Sequence, residues 1–251
     1  TRAFFLGKAI ESLALDGRKA HDAAYYVVPQ GVGKVRLADK DVRENLAAQH
    51  PGKIALSWDD AQIVERINVN VHAHHLAGPL LAACEKQVTF RIKGMNLPVP
   101  VQVRPDAWAE EGCELTQGVP VIVDLKTIPE LPDDDPDVIP RQIAAFWYAG
   151  QARLYRDIVA NVMKYPEEFS PVFYFVFVAK EEPYNVKVVE LDEPSLDLGF
   201  RQLADTLERL KTCIKTGHWP LSWEDTFKKK VTQVSLPAYV LKKEMEKTEL
   251  W

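Results

Sequence analysis

Apolar and polar positions along this chain recur with two periods, and the shifts between them mark its elements. Leu6, Ala9, Ile10 and Leu13 follow the 3.6-residue period of an amphipathic helix over residues 7–15, which Asp16-Gly17 stops. Residues 24–29 read as a short strand, and the charged stretch 34–51 as a brief helix between loops. Residues 59–83 predict a long helix with Ile63, Ile67 and Val71 on its buried side, broken or restarted by Pro79.

The period then falls to two. Val88, Phe90 and Ile92 alternate over residues 85–93, Gly94 and Asn96 turn the chain, and residues 97–103 and 119–123 form two further β-branched runs. Together they predict a three-stranded meander. A Pro- and Asp-rich connection, 128–140, leads to a second long helix over 138–165, with Ile143, Phe146, Trp147, Ala149, Leu154, Ile158 and Val162 on its buried side. Its Asp133-Asp134-Asp135 lacks the glycine and spaced ligands of a calcium loop. The unbroken apolar run 172–178 predicts a strand covered on both faces, residues 185–190 another strand, and 197–216 a helix capped by Gly217.

Two of the predicted strands end in polar tips: Arg104-Pro105-Asp106 and Asp124-Leu125-Lys126-Thr127. Alternation points Asp124 and Lys126 to one side and Leu125 to the core. If the strands are neighbours, Asp106 joins them, and two carboxylates with one ammonium suit a magnesium ion and a water poised against a phosphodiester. The same residues would also serve as a salt bridge at a strand end. Glu11 borders the first helix's apolar stripe, either as an exposed neighbour of it or as a third metal ligand. Gln151 and Tyr155, four apart, share a helix face, either as the polar edge of a buried helix or as a hydrogen-bonding pair aimed at a phosphate. His72 and His75 are spaced to share a ligand sphere, but no acidic partner or fourth ligand accompanies them, which favours surface or packing roles.

Composition narrows the picture. A chain of 251 residues that is 47% hydrophobic and 27% charged is that of an ordinary globular protein, expected to form a single domain over 1–251. No apolar run approaches the ~20 residues that span a bilayer. No signal-peptide pattern opens the chain, although its start at Thr1 leaves room for preceding residues. Three scattered cysteines, Cys84, Cys113 and Cys213, suit reduced thiols in the cytoplasm and supply neither a zinc site nor an iron–sulfur cluster. A net charge of −5 weighs against nucleic-acid binding, yet residues 208–251 carry nine Lys/Arg against six Asp/Glu, with clusters at 228–230 and 242–243. Such a lysine triplet also suits a plain solvated face.

Pro105-Asp106 and Asp124-Leu125-Lys126 together resemble the PD-(D/E)XK nuclease motif. The helix at 7–15, the two tips, Gln151-Ala152-Arg153-Leu154-Tyr155, the Glu181-Glu182-Pro183-Tyr184 turn and Ser235-Leu236-Pro237 follow one another as in the RecE-type exonuclease branch of that RecB-like superfamily. The resemblance implies an α/β fold with a central mixed β-sheet flanked by helices, the restriction-endonuclease-like core. That core would occupy about residues 7–191, with a C-terminal helical extension over about 195–251. It implies Mg²⁺-dependent digestion, with Mn²⁺ as a substitute, of linear double-stranded DNA from 5′ ends, by a homo-oligomeric ring that hands the remaining strand to an annealing protein.

On this resemblance Asp106, Asp124, Glu11 and the Leu125 carbonyl hold the metal, Lys126 positions or activates the attacking water, Gln151 and Tyr155 steady the phosphate, and Arg104 and Thr127 contact DNA. The family usually has a histidine where this chain has Glu11; a carboxylate is a harder ligand and suits magnesium. The alternatives are a structure- or site-selective endonuclease on the same fold and a noncatalytic DNA-end-binding scaffold.

Overall fold

A computed structural model describes residues 2–31, 40–94, 97–166 and 169–220. The chain divides into two compact units, Thr1–Leu207 and Glu208–Trp251, and the candidate site lies in the first. The lysine clusters and the Ser235-Leu236-Pro237 motif fall outside the described residues.

The first unit is built on a five-stranded mixed sheet, as the α/β expectation requires. Its strands in spatial order are β3 (Glu85–Lys86), β6 (Ala107–Ala109), β7 (Val121–Ile128), β8 (Val172–Ala179) and β9 (Val186–Glu190). Strands β7 and β8 are parallel, paired residue for residue from Val121↔Val172 to Ile128↔Ala179; the other pairs are antiparallel. A parallel pair needs a crossover. Two helices supply it here, α6 (Val138–Ala145) and α7 (Tyr148–Met163).

Side-chain alternation splits the core into two layers. Val121, Val123 and Leu125 face helices α1 (Arg2–Glu11), α4 (Trp58–Ala73) and α5 (Ala77–Ala83), where Ile10, Ile67 and Leu80 are fully buried. Ile122, Ile128, Phe173, Phe175 and Phe177 face α7 and the start of α8 (Glu193–Thr216). A π-helical turn, Ser12–Asp16, extends α1 to Gly17, whose φ of +82° lets α2 (Gly17–Ala24) restart in a new direction. Helix α3 spans Lys40–Gln49, and a small parallel pair, β1 (Tyr25–Val27) with β2 (Ile54–Leu56), contributes Tyr25 and Leu56 to this layer.

Three expectations change. The meander is not formed: β4 (Phe90–Ile92) and β5 (Val101–Val103) pair as a separate ribbon, and Gln87, at φ +56°, sends the chain from β3 towards it. The strand beside β7 is instead the three-residue β6, just after Asp106.

The helix over 59–83 breaks ahead of Pro79, at His74, whose Nδ1 accepts hydrogen bonds from the Leu76 and Ala77 amides and starts α5. That imidazole is therefore a helix cap. The helix over 138–165 is two helices, because Trp147 takes a left-handed backbone (φ +59°, ψ +35°) with its ring laid on Gly150. Phe146 and Trp147, expected on the buried side, are 60% and 37% exposed. Among the described residues no helix is long and apolar enough to cross a membrane.

Candidate active site

The site forms where β7 outruns its neighbour. Strand β6 pairs only with Val121–Val123, so from Asp124 onward that edge of β7 has no strand beside it among the described residues. The register places Asp106 across from Asp124, one step beyond the Ala107↔Val123 pair. Asp106 Oδ2 accepts the Leu125 amide at 2.8 Å, giving the first free edge N–H a partner. Asp124 and Lys126 are mid-strand residues, not strand tips as the sequence suggested, and Asp124 is only 4% exposed.

Helix α7 completes the cluster. Gln151 Nε2 donates to Asp124 Oδ1 at 2.8 Å. Tyr155, one turn on, stands edge-on to Phe173, with its hydroxyl beside Gln151 and within the field of Asp124. Burial first, and then that carboxylate, push the phenol's pKa up. Lys126 Nζ lies 2.5 Å from Asp124 Oδ2 and 4.7 Å from the Tyr148 ring centroid. The Lys126 ammonium is thus the partner of Oδ2, as the Gln151 amide is of Oδ1.

The electrostatics follow from two carboxylates sharing one poorly solvated place. Burial, and then the neighbouring Asp124, push the Asp106 carboxyl up to about 8. Burial also raises Asp124, against the pull of Lys126 and Gln151. For Lys126, burial alone would lower the pKa, but Asp124 and Asp106 outweigh it and the ammonium is held charged.

Glu11 lies across a cleft of about 200 Å³ that it lines with Phe4, Lys126, Thr127 and Tyr148. Its carboxylate is taken up by Lys8 at 2.6 Å, although its charge still reaches both aspartates. Thr127 faces α1, where a Cβ on Gly7 would sit 3.2 Å from its Oγ1. Arg104 is exposed, and its charge reaches Asp16.

Asp106, Asp124, Lys126, Gln151 and Tyr155 thus converge, Glu11 and Thr127 border them, and Arg104 is exposed. Among the described residues no three His, Cys, Asp or Glu side chains gather as a ready-made metal group. The donors nevertheless suit a hard divalent cation: two buried carboxylates side by side that repel each other's charge. Sequence reasoning missed Tyr148 and Lys8, which no motif marks; only the fold puts them against Lys126 and Glu11.

Over residues 1–226 the chain matches the family described as "PDDEXK-like domain of unknown function (DUF3799)". A search of the curated proteins found no match. Among solved structures, the chain is similar to a "Putative exonuclease" from Eubacterium rectale, with a TM-score of 0.56 at 13% identity, covering 96% of this chain and 79% of the other. A weaker likeness, to SSO0001, has a TM-score of 0.30 at 14% identity and covers 82% of this chain and 86% of that one.

Proposed function

Since this chain belongs to the DUF3799 family of PDDEXK-like domains, we propose that it is a divalent-metal-dependent deoxyribonuclease, an exonuclease of RecE type acting on ends of linear double-stranded DNA. One observation carries the reading: Asp106 and Asp124 stand side by side on the open edge of β7, with Lys126 2.5 Å and Gln151 2.8 Å from Asp124. The order of motifs along the chain and the exonuclease named for the Eubacterium rectale relative support the finer assignment.

Asp106, Asp124, the Leu125 carbonyl and Glu11, once freed from Lys8, would hold Mg²⁺, or Mn²⁺ in its place. When bound, the ion supplies Lewis acidity at the scissile phosphate and makes a nearby water easier to deprotonate. Lys126, held charged by its carboxylate neighbours, orients that water and offsets charge building on phosphorus; it is not the group that removes the proton. Gln151 fixes the rotamer of Asp124, and Tyr155 steadies the phosphate beside it. Thr127 and Arg104 are outer contacts to the DNA backbone. The nuclease domain works in the cytoplasm, digests 5′ to 3′ as a homo-oligomeric ring and leaves a 3′ single strand for an annealing protein in recombination.

The test uses linear and covalently closed duplex DNA with Mg²⁺. We expect loss of the linear form alone, abolished by EDTA and by Asp124→Asn or Lys126→Ala in folded protein. Cutting of closed DNA makes the protein an endonuclease. Binding of ends without cutting makes it a scaffold, and wild-type rates in either variant remove the assignment.

A further inference from the structure

The break between α6 and α7 is costly in backbone conformation. Trp147 is neither glycine nor asparagine, yet it sits at φ +59°. A bulky residue there is a genuine outlier, and strain of this kind collects at working sites. Gly150 makes it feasible, since a Cβ at that position would stand 2.5 Å from the Trp147 ring. The outcome is a reversal over two residues: Tyr148 turns inward beneath Lys126, and Phe146 turns outward, 60% exposed. The Phe146 and Tyr148 rings stay nearly parallel, 22° apart with centroids at 5.8 Å. Lys126, Tyr148 and Phe146 therefore follow one another in contact from the candidate site to an exposed ring, and Lys126 and Tyr148 line the same cleft as Phe4.

We propose that Phe146 is a stacking shelf for the nucleobase next to the phosphate held at Lys126, so that the site admits a nucleotide whose base face is free. Within a continuous duplex both faces of every base are covered by neighbours; a strand end or single strand offers a free face. The flat, uncharged ring suits a base and is a poor partner for a phosphate, while the cation one ring further in suits the phosphate. The shelf makes end selection a property of this chain's own surface. The inference deepens the nuclease reading and rests on its placing the phosphate at Lys126.

The test is binding by the full chain, in EDTA to prevent cutting, of a single-stranded oligonucleotide with 2-aminopurine as its terminal base. Stacking quenches the fluorophore. Base–aromatic stacking typically contributes enough that Phe146→Ala is expected to weaken binding by about 5- to 150-fold. The quench should vanish, and Phe146→Trp should restore both signals. Replacing the terminal nucleotide by an abasic one should weaken wild-type binding by the same factor and leave Phe146→Ala unaffected. An unchanged melting temperature identifies the loss as one of binding, because the side chain is mostly exposed. Wild-type binding by Phe146→Ala, or equal sensitivity of both proteins to the missing base, overturns the shelf. Cleavage of linear duplex, assayed separately with Mg²⁺, judges the nuclease reading: cutting without quenching sinks the shelf alone, quenching without cutting sinks the nuclease alone, and absence of both sinks both.

Discussion

Loading the aspartate pair with a divalent ion should expel a proton, and the affinity should therefore follow pH. In the metal-free protein the Asp106 carboxyl is pushed up to about 8, because it is buried and faces Asp124 across the end of the β6–β7 ladder. At pH 6 to 7 it holds a proton that an incoming cation must displace. One displaced proton weakens the apparent affinity by up to tenfold, about 1.4 kcal/mol, for each pH unit below the pKa. From pH 8 to pH 6 the dissociation constant for Mg²⁺ should rise by roughly 50-fold, and it should level off above pH 8.

The sign carries over to stability. A carboxyl raised on folding contributes stability that is complete below its unfolded pKa, near 4, and is lost as pH rises through about 8. The metal-free protein should accordingly melt lower at pH 8 than at pH 6, and saturating Mg²⁺ should help more at pH 8. Titration calorimetry at pH 7 in buffers of different ionisation enthalpy gives the proton count directly, with about one released per ion. Heats independent of buffer, together with equal affinities at pH 6 and pH 8, would refute the shared-proton account of the site.

Three further outcomes test the frame around the site. Gly199→Ala should destabilise the protein by about 1–2 kcal/mol in urea denaturation although alanine is the better helix former by about 1 kcal/mol. The new methyl would stand 2.4 Å from the Ala149 carbonyl oxygen, so α8 must move off α7; a gain in stability would mean the helices are not in that contact. Gln151→Ala should leave stability within about 1 kcal/mol but weaken metal affinity by about 10- to 100-fold, as for outer partners of ligating carboxylates, and an unmoved metal titration would remove Gln151 from that role. Glu11→Ala should shift the Mg²⁺ dependence of cleavage to higher concentration, because Glu11 must leave Lys8 to reach the ion; an unchanged titration places it outside the site.

Much of the chemistry was legible in the chain itself. A strand's period of two is a local property, so Asp124 and Lys126 on one side with Leu125 on the other could be read directly, and the contact between Lys126 and Asp124 agrees. The same holds for the i, i+4 relation of Gln151 and Tyr155, and for β8, whose unbroken apolar run announced burial on both faces. These features depend only on residues a few positions apart.

Pairing depends on distant residues, and there the pattern was silent. Residues 97–103 look more like a strand than Ala107–Ala109, yet the shorter segment lies beside β7, because Ala107 and Ala109 are small enough to pack under the α1–α4–α5 layer while Trp108 fills the other face. The brevity of that strand leaves β7's edge open, and the open edge is what turns two aspartates 18 positions apart into a repelling pair. The break at Phe146-Trp147 likewise has no signal in apolar periodicity; it needs the Trp147 ring on Gly150. Local spacing along the chain was enough to say which side chains could do the chemistry and which face of each element they occupy. Tertiary structure decided which elements adjoin, how far water is excluded, and hence the charge each group carries, since burial and neighbouring charge arise only once the chain has folded.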